Sequence, residues 1–262
     1  MNLDGLDMSI LGPAFVAGLL VLATHVPLGM EVLKRGIIFI DLAIAQIAGL
    51  GVILAHHYGW DSQTYAVQFA AMASALSGAL FLSVMEKYWK HNHEALIGVV
   101  FILAASAGIL LIADNPQGGE HLKDLLIGQI LWVNWQQLIP TAIITIIILS
   151  LWLVAKPWFS RTGFYLLFAL AVTSSVQLVG VYLVFASLII PALAVSGLDN
   201  TDSLKGPHFR AYIIGVAGYA AGLVVSAMLD LPTGAVIVWS IACISIVYKL
   251  LMSINTKPLE KP

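Results

Sequence analysis

The sequence predicts an all-α polytopic membrane protein with about nine transmembrane helices, and three observations predict it. Sixty per cent of the 262 residues are hydrophobic and only 10% are charged, where a soluble domain carries roughly a quarter. Mean hydropathy is +0.95, and apolar runs long enough to cross roughly 30 Å of hydrocarbon recur along the chain. Of the 12 Lys and Arg residues, all but Lys123 fall in alternate gaps between those runs. Cytoplasmic loops retain basic residues, so the alternation predicts an outer N-terminus, an inner C-terminus and an odd number of crossings.

The runs are Ile10–Val32, Gly36–Ala55, Tyr65–Met85, Ala95–Ala113, Leu138–Ala155, a double run Gly163–Leu198, Phe209–Leu229 and Thr233–Leu251. The inner gaps hold Lys34 and Arg35, then Lys87 and Lys90, then Lys156 and Arg161, then Lys205 and Arg210, and finally Lys249, Lys257 and Lys261. The double run would measure about 54 Å as one helix, too long for a single crossing. Basic residues bracket it at both ends, so it is expected to turn near Gln177–Gly180. Without that turn the count falls to eight. A turn carrying no charge belongs among other helices rather than against lipid.

Further features modify this plan. Pro27 and Pro191 are placed to interrupt their helices. Leu122–Val133 is apolar but too short to span, and reads as a half-helix at the outer surface. Irregular backbone at membrane depth survives only where protein or water covers it, so such breaks point to a pathway; a packing kink is the alternative. Small residues at i, i+4 mark close helix contacts at Gly218, Gly222 and Ser226, and at Ala45 and Gly49. Packing within the chain is favoured over a dimer interface. Cys243 excludes an internal disulfide and reads as a small core residue. Asp4 and Asp7, with no basic residue ahead of the first run, argue against a cleavable signal peptide. Residues 1–262 are expected to form one transmembrane domain.

Asp41 lies six residues past Arg35, roughly 9 Å into its helix. A carboxylate there costs a few kcal/mol unless paired or hydrated, which makes it a functional candidate by default. A structural ion pair with Lys34, Arg35 or another loop's cation is the alternative. His25 is deeper in the first helix, and neutral imidazole suits zinc; a histidine hydrogen-bonded across a helix pair is the alternative, and the favoured one. Glu31 stands four residues before Arg35, as an interfacial ion pair requires. The outer gaps collect His56, His57, Asp61, Asp114, Glu120, His121 and Asp124, which would attract divalent cations or a basic partner, or are simply solvated helix ends. His91 and His93 do not share a helix face and are not read as a metal site. The chain has no Walker loop, HExxH or nucleophile motif, so no enzyme activity is expected of it.

Several segments, in order, resemble ABC-type zinc/manganese/iron importer permeases. These are Pro27-Leu28-Gly29, Lys34-Arg35, Phe39 and Asp41 leading to Gly51-Val52, and Glu94-Ala95-Leu96-Ile97-Gly98. They continue with Leu126-Ile127-Gly128-Gln129-Ile130-Leu131 and Leu178-Val179-Gly180-Val181-Tyr182-Leu183. Ser187 through Pro191-Ala192, then Asp230-Leu231-Pro232-Thr233-Gly234, complete the set. The resemblance implies the membrane subunit of a divalent-metal importer, for zinc or manganese. It implies a homodimer in a bacterial inner membrane, working with ABC ATPase subunits and an extracytoplasmic metal-binding protein. No permanently bound cofactor and no nucleic acid are expected, the metal being cargo.

Two departures from the family pattern matter. Zinc- and manganese-handling members carry Asp followed four residues later by His in the second helix. Counted from Pro27, the His position holds Gln46 and the Asp position Leu42, with Asp41 one residue early. Five residues apart, Asp41 and Gln46 stand about 140° from each other around the helix, so Gln46 is expected to line the path without chelating beside Asp41. Secondly, the family's cytoplasmic coupling helix has little room within Lys156–Arg161. That motivates a different reading, an accessory, scaffold or ATP-independent metal conduit.

Overall fold

The computed structural model describes residues 7–60, 65–88, 92–113, 126–154, 161–196 and 206–255. The described residues form nine α-helices and no strand: α1 (Met8–Arg35), α2 (Ile40–His57), α3 (Tyr65–Tyr88), α4 (His93–Ile112), α5 (Trp135–Val154), α6 (Arg161–Val179), α7 (Val181–Val195), α8 (Pro207–Leu229) and α9 (Thr233–Asn255). Eight are long and apolar enough to cross a membrane, and α7 is a shorter apolar helix. Every expected run becomes a helix, its ends moved by a few residues because polar first and last turns are also helical.

The double run divides where the crossing rule requires. α6 ends at Val179, Gly180 adopts φ +81°, and α7 starts at Val181. Leu178, Val179, Gly180 and Val181 are buried as expected, whereas Gln177 is exposed. The expected prolyl interruptions do not occur. α1 runs unbroken through Pro13 and Pro27, and α7 through Pro191. A membrane helix tolerates the lost hydrogen bond because neighbouring helices and side chains satisfy the freed backbone group. Of the expected outer half-helix, the described part is a helical turn at 126–127 and a 3₁₀ turn, Ile130–Trp132.

Helix ends follow from local chemistry. The Asp7 carboxylate caps α1 by accepting from the Ser9 N–H at 2.8 Å; that bond holds its carboxyl below the usual carboxylate range. Gly36, at φ +66°, closes the other end after Lys34 and Arg35, where cations favour the helix dipole. α5 opens with a reciprocal capping box. The Asn134 side chain accepts from Gln137 N–H at 3.0 Å, and the Gln137 side chain accepts from Asn134 N–H at 3.1 Å.

The core lies where α1, α6 and α7 meet. α1 packs chiefly on α7, α8 and α5, α6 on α3, and α9 on α8 and α7, while α2 packs on α3 and α4. α4, α5 and α9 form the periphery, exposing Leu103, Leu110, Ile146, Val154 and Trp239, as lipid-facing helices do. Cys243 is exposed among them rather than in the core: a small apolar residue suits lipid as well as protein, so hydropathy alone cannot place it. The small-residue stripes serve packing within the chain. Gly218 and Gly222 receive Ile241 and Ile237 of α9. Gly29 lets α1 approach the Leu188 carbonyl of α7, with which a Cβ would collide.

Candidate functional site

At the end of the bundle where α1 meets α2, the Arg35 cation is already engaged. The Arg35 Nε donates to Glu31 Oε1 at 2.8 Å, and its guanidinium lies 4.1 Å from the Phe164 ring centre. Glu94, from the first turn of α4, accepts the Phe39 N–H at 3.0 Å and thereby caps the start of α2. His93 is buried and shares a 2.7 Å hydrogen bond with the Tyr165 hydroxyl. His91 lies outside the described residues. The second helix is thus tied to α4 by the Phe39–Glu94 hydrogen bond, while His93 ties α4 to α6.

Asp41 occupies the first turn of α2 and is fully buried. Neither carboxylate oxygen has a hydrogen-bond partner among the described residues, and the recorded ion pair of Arg35 is with Glu31. A buried carboxylate without partner is stable only when protonated or when a cation joins it. The dipole at the α2 N-terminus eases that cost partially.

His25 is also fully buried. Its Nδ1 is 2.9 Å from the Val21 carbonyl and 3.0 Å from the Thr24 hydroxyl, and its Nε2 has no partner among the described residues. With Gly18, Leu22 and Gly29, it falls on one face of α1 by helical spacing. That face meets Tyr219 and Gly215 of α8 and Leu188 of α7, near the Ser187–Tyr219 hydroxyl pair at 2.9 Å. His25 and Asp41 therefore stand on helices with different principal neighbours. Among the described residues, no three His, Cys, Asp or Glu side chains converge into a metal-holding group.

Gln46 lines a cavity of about 20 Å³ between α2, α4, α6 and α7, together with Ala45, Gly49, Gly108, Val176 and Val181. Such a space admits about one water. The Ala45–Gly49 stripe of α2 faces Gly108 of α4 across it, and Gly108 lies against Ile53 of α2. Asp41 lies one helical turn from Ala45 toward the α1–α2 link, on the same stripe.

A second cavity, about 700 Å³, opens at the other end, where α3 and α5 begin and α6 ends. Gln68, Gln129, Gln136 and Gln177 line it along with Thr141, Thr173 and Ser174. In the sequence these amides share no motif: Gln177 falls in the expected turn, Gln129 in the Leu126–Leu131 segment, and Gln68 and Gln136 near the starts of apolar runs. Their common signal is position: all lie at the end opposite Lys34, Arg35 and Lys87. His56 and His57 close α2 at this same end, His57 exposed and in edge contact with Tyr58. His121, Asp61, Asp114, Glu120 and Asp124 lie outside the described residues, as does the 155–160 link.

Three backbone segments converge between the cavities. Gly128, at φ +69°, lies against Val179 and Gly180, and Gly234 of α9 sits against the Ile127 carbonyl. The segments Leu126–Leu131, Leu178–Leu183 and Asp230–Gly234, far apart in sequence, are thus parts of one contact.

Comparison with known proteins agrees with this arrangement. A family model described as "ABC 3 transport family" matches residues 7–162 and 155–252. A "Probable iron transport system membrane protein" of Haemophilus influenzae is 27% identical over 259 residues, covering 90% of this chain and 91% of its own length. The "Manganese transport system membrane protein MntC" of Listeria monocytogenes is 26% identical over 256 residues, covering 90% and 89%. Among solved structures, PsaBC from Streptococcus pneumoniae in complex with Fab superposes with a TM-score of 0.71 at 23% identity, over 94% of this chain and 93% of that one. At that identity the likeness is one of fold.

Proposed function

We propose a function from one premise, that the chain belongs to the ABC 3 transport family: it is the membrane-spanning permease subunit of an ABC-type importer of a divalent transition metal. Zinc or manganese is the expected cargo. One observation carries the reading: relatives aligned over nine-tenths of the chain bear names for iron and manganese transport. The partners are an ABC ATPase subunit, which hydrolyses ATP, and an extracytoplasmic binding protein. Two copies of the chain enclose the path in a bacterial inner membrane, with the N-terminus outside and the C-terminus inside.

Buried side chains support the chemistry. A dehydrated cation passing along α2 would supply what the Asp41 carboxylate lacks, and the His25 imidazole offers a ligand nitrogen at Nε2. Gln46, a neutral amide where zinc and manganese permeases place histidine, would solvate the ion without trapping it, as conduction requires. Residues 7–60 supply all three side chains.

The test is metal accumulation in cells with and without the chain, together with co-purification. Zinc or manganese content should fall when the gene is deleted, and an ATPase subunit should purify with the chain and be stimulated by the binding protein. Metal content independent of the gene refutes the reading. Metal uptake without any ATPase partner would instead favour the ATP-independent conduit.

A further inference from the structure

We propose that the cavity of about 700 Å³ between α3, α5 and α6 is a docking station for the hydrated divalent cation, which it holds through the ion's own water shell. This rests on the metal-import reading and adds to it where the ion still carries its waters.

The lining supplies the argument. Gln68 comes from α3, Gln129 from the segment before η1 (Ile130–Trp132), Gln136 from α5 and Gln177 from α6. Four elements thus each present one amide to one space. The amides of Asn134 and Gln137 also border it, but these two are occupied with capping α5. Thr173 borders it as well, only 1% exposed, with a hydroxyl that has no partner among the described residues.

Among the described residues, none of the lining side chains is Asp, Glu, His or Cys, so these offer no strong ligand with which to strip water from a zinc or manganese ion. Waters on a divalent metal are acidified and become strong hydrogen-bond donors. Amide and hydroxyl oxygens are the matching acceptors, and they offer no charge that would hold the ion there. A six-coordinate aqua ion, with metal–oxygen distances of roughly 2.1 Å and waters of about 1.4 Å radius, occupies roughly 180 Å³. It fits this space, whereas the cavity beside Gln46 admits only about one water. α6 forms part of the wall between them, Thr173 and Gln177 bordering the large cavity and Val176 the small one. Loss of the water shell therefore belongs to the passage across this wall.

Hexaamminecobalt(III) tests the proposal, because it mimics a hydrated cation in size and shape but cannot exchange its ligands. The full chain in nanodiscs of uncharged lipid is titrated with this complex, and cells are assayed separately for metal uptake. Binding should occur, compete with manganese, and weaken roughly tenfold in Gln136→Leu and Gln177→Leu. Both side chains are exposed, so the variants should fold. Thr173→Val should weaken it too, and Thr173→Ser should restore it. Absence of binding, or binding unchanged in all these variants, overturns the proposal. If uptake depends on the chain yet the complex does not bind, the station alone fails. If the complex binds as expected but uptake is independent of the chain, the station stands and the import reading fails.

Discussion

Gly128 and Gly180 meet backbone against backbone, each with positive φ, +69° and +81°. A Cβ on Gly180 would stand 2.7 Å from the Gly128 Cα and 2.5 Å from the Ile127 carbonyl carbon, and a Cβ on Gly128 would strike the Val179 carbonyl. Both the dihedral and the space exclude a side chain. Gly128→Ala and Gly180→Ala should each destabilise the purified chain by about 2–5 kcal/mol. Gly36→Ala shares the left-handed φ but has open space around it, and should cost only about 1–2 kcal/mol. Thermal unfolding in one detergent compares them; equal losses at all three would contradict the close contact.

The bond from the Phe39 N–H to Glu94 fastens α2 to α4. Glu94→Ala should lower stability by about 1 kcal/mol, the usual value of a lost cap. Glu94→Gln keeps an acceptor and should lose less. If the glutamate held a metal instead, the glutamine variant would be as impaired in metal uptake as the alanine variant, and stability would be unchanged in both.

Gln46→His puts an imidazole at the small cavity, where the family pattern has one. The variant should bind manganese or zinc roughly tenfold more tightly, the equivalent of about 1.4 kcal/mol, and release it more slowly. Uptake kinetics would show a lower half-saturating concentration and a lower maximal rate. Unchanged kinetics would place Gln46 off the path.

His25→Ala should weaken uptake about tenfold, as the loss of one ligand does. Because His25 is fully buried, the alanine also leaves a void. His25→Phe therefore serves as the control, filling the space without a ligand nitrogen. Equal uptake in His25→Phe and the unaltered chain would reduce His25 to packing.

The helices were legible because hydrocarbon thickness and basic-residue sidedness act on whole segments, and neither depends on which side chains meet. The length of the double run, with Arg161 and Lys205 at its two ends, required a turn inside it, which was expected near Gln177–Gly180 and falls at Gly180. Pro27 and Pro191 misled because a lone prolyl interruption is a local signal that packing overrides. Cys243 misled because lipid and core look alike in composition. The amide-lined cavity could not be read at all: Gln68, Gln129, Gln136 and Gln177 gain meaning only once α3, α5 and α6 are juxtaposed. The Gly128–Gly180 contact was likewise invisible as a contact, although both glycines stand in segments that resemble the family.

Asp41 carries the central claim, that a divalent cation crosses beside a carboxylate of α2 that has no partner among the described residues. The most direct measurement is ATP-driven manganese or zinc uptake by proteoliposomes holding the chain with its ATPase and binding protein, compared with Asp41→Asn. Asparagine keeps the shape and removes the charge, so folding and assembly should be retained, and stability should hold or rise because the buried charge is gone. Uptake should disappear. An Asp41→Asn complex that assembles and transports at the unaltered rate would contradict the account.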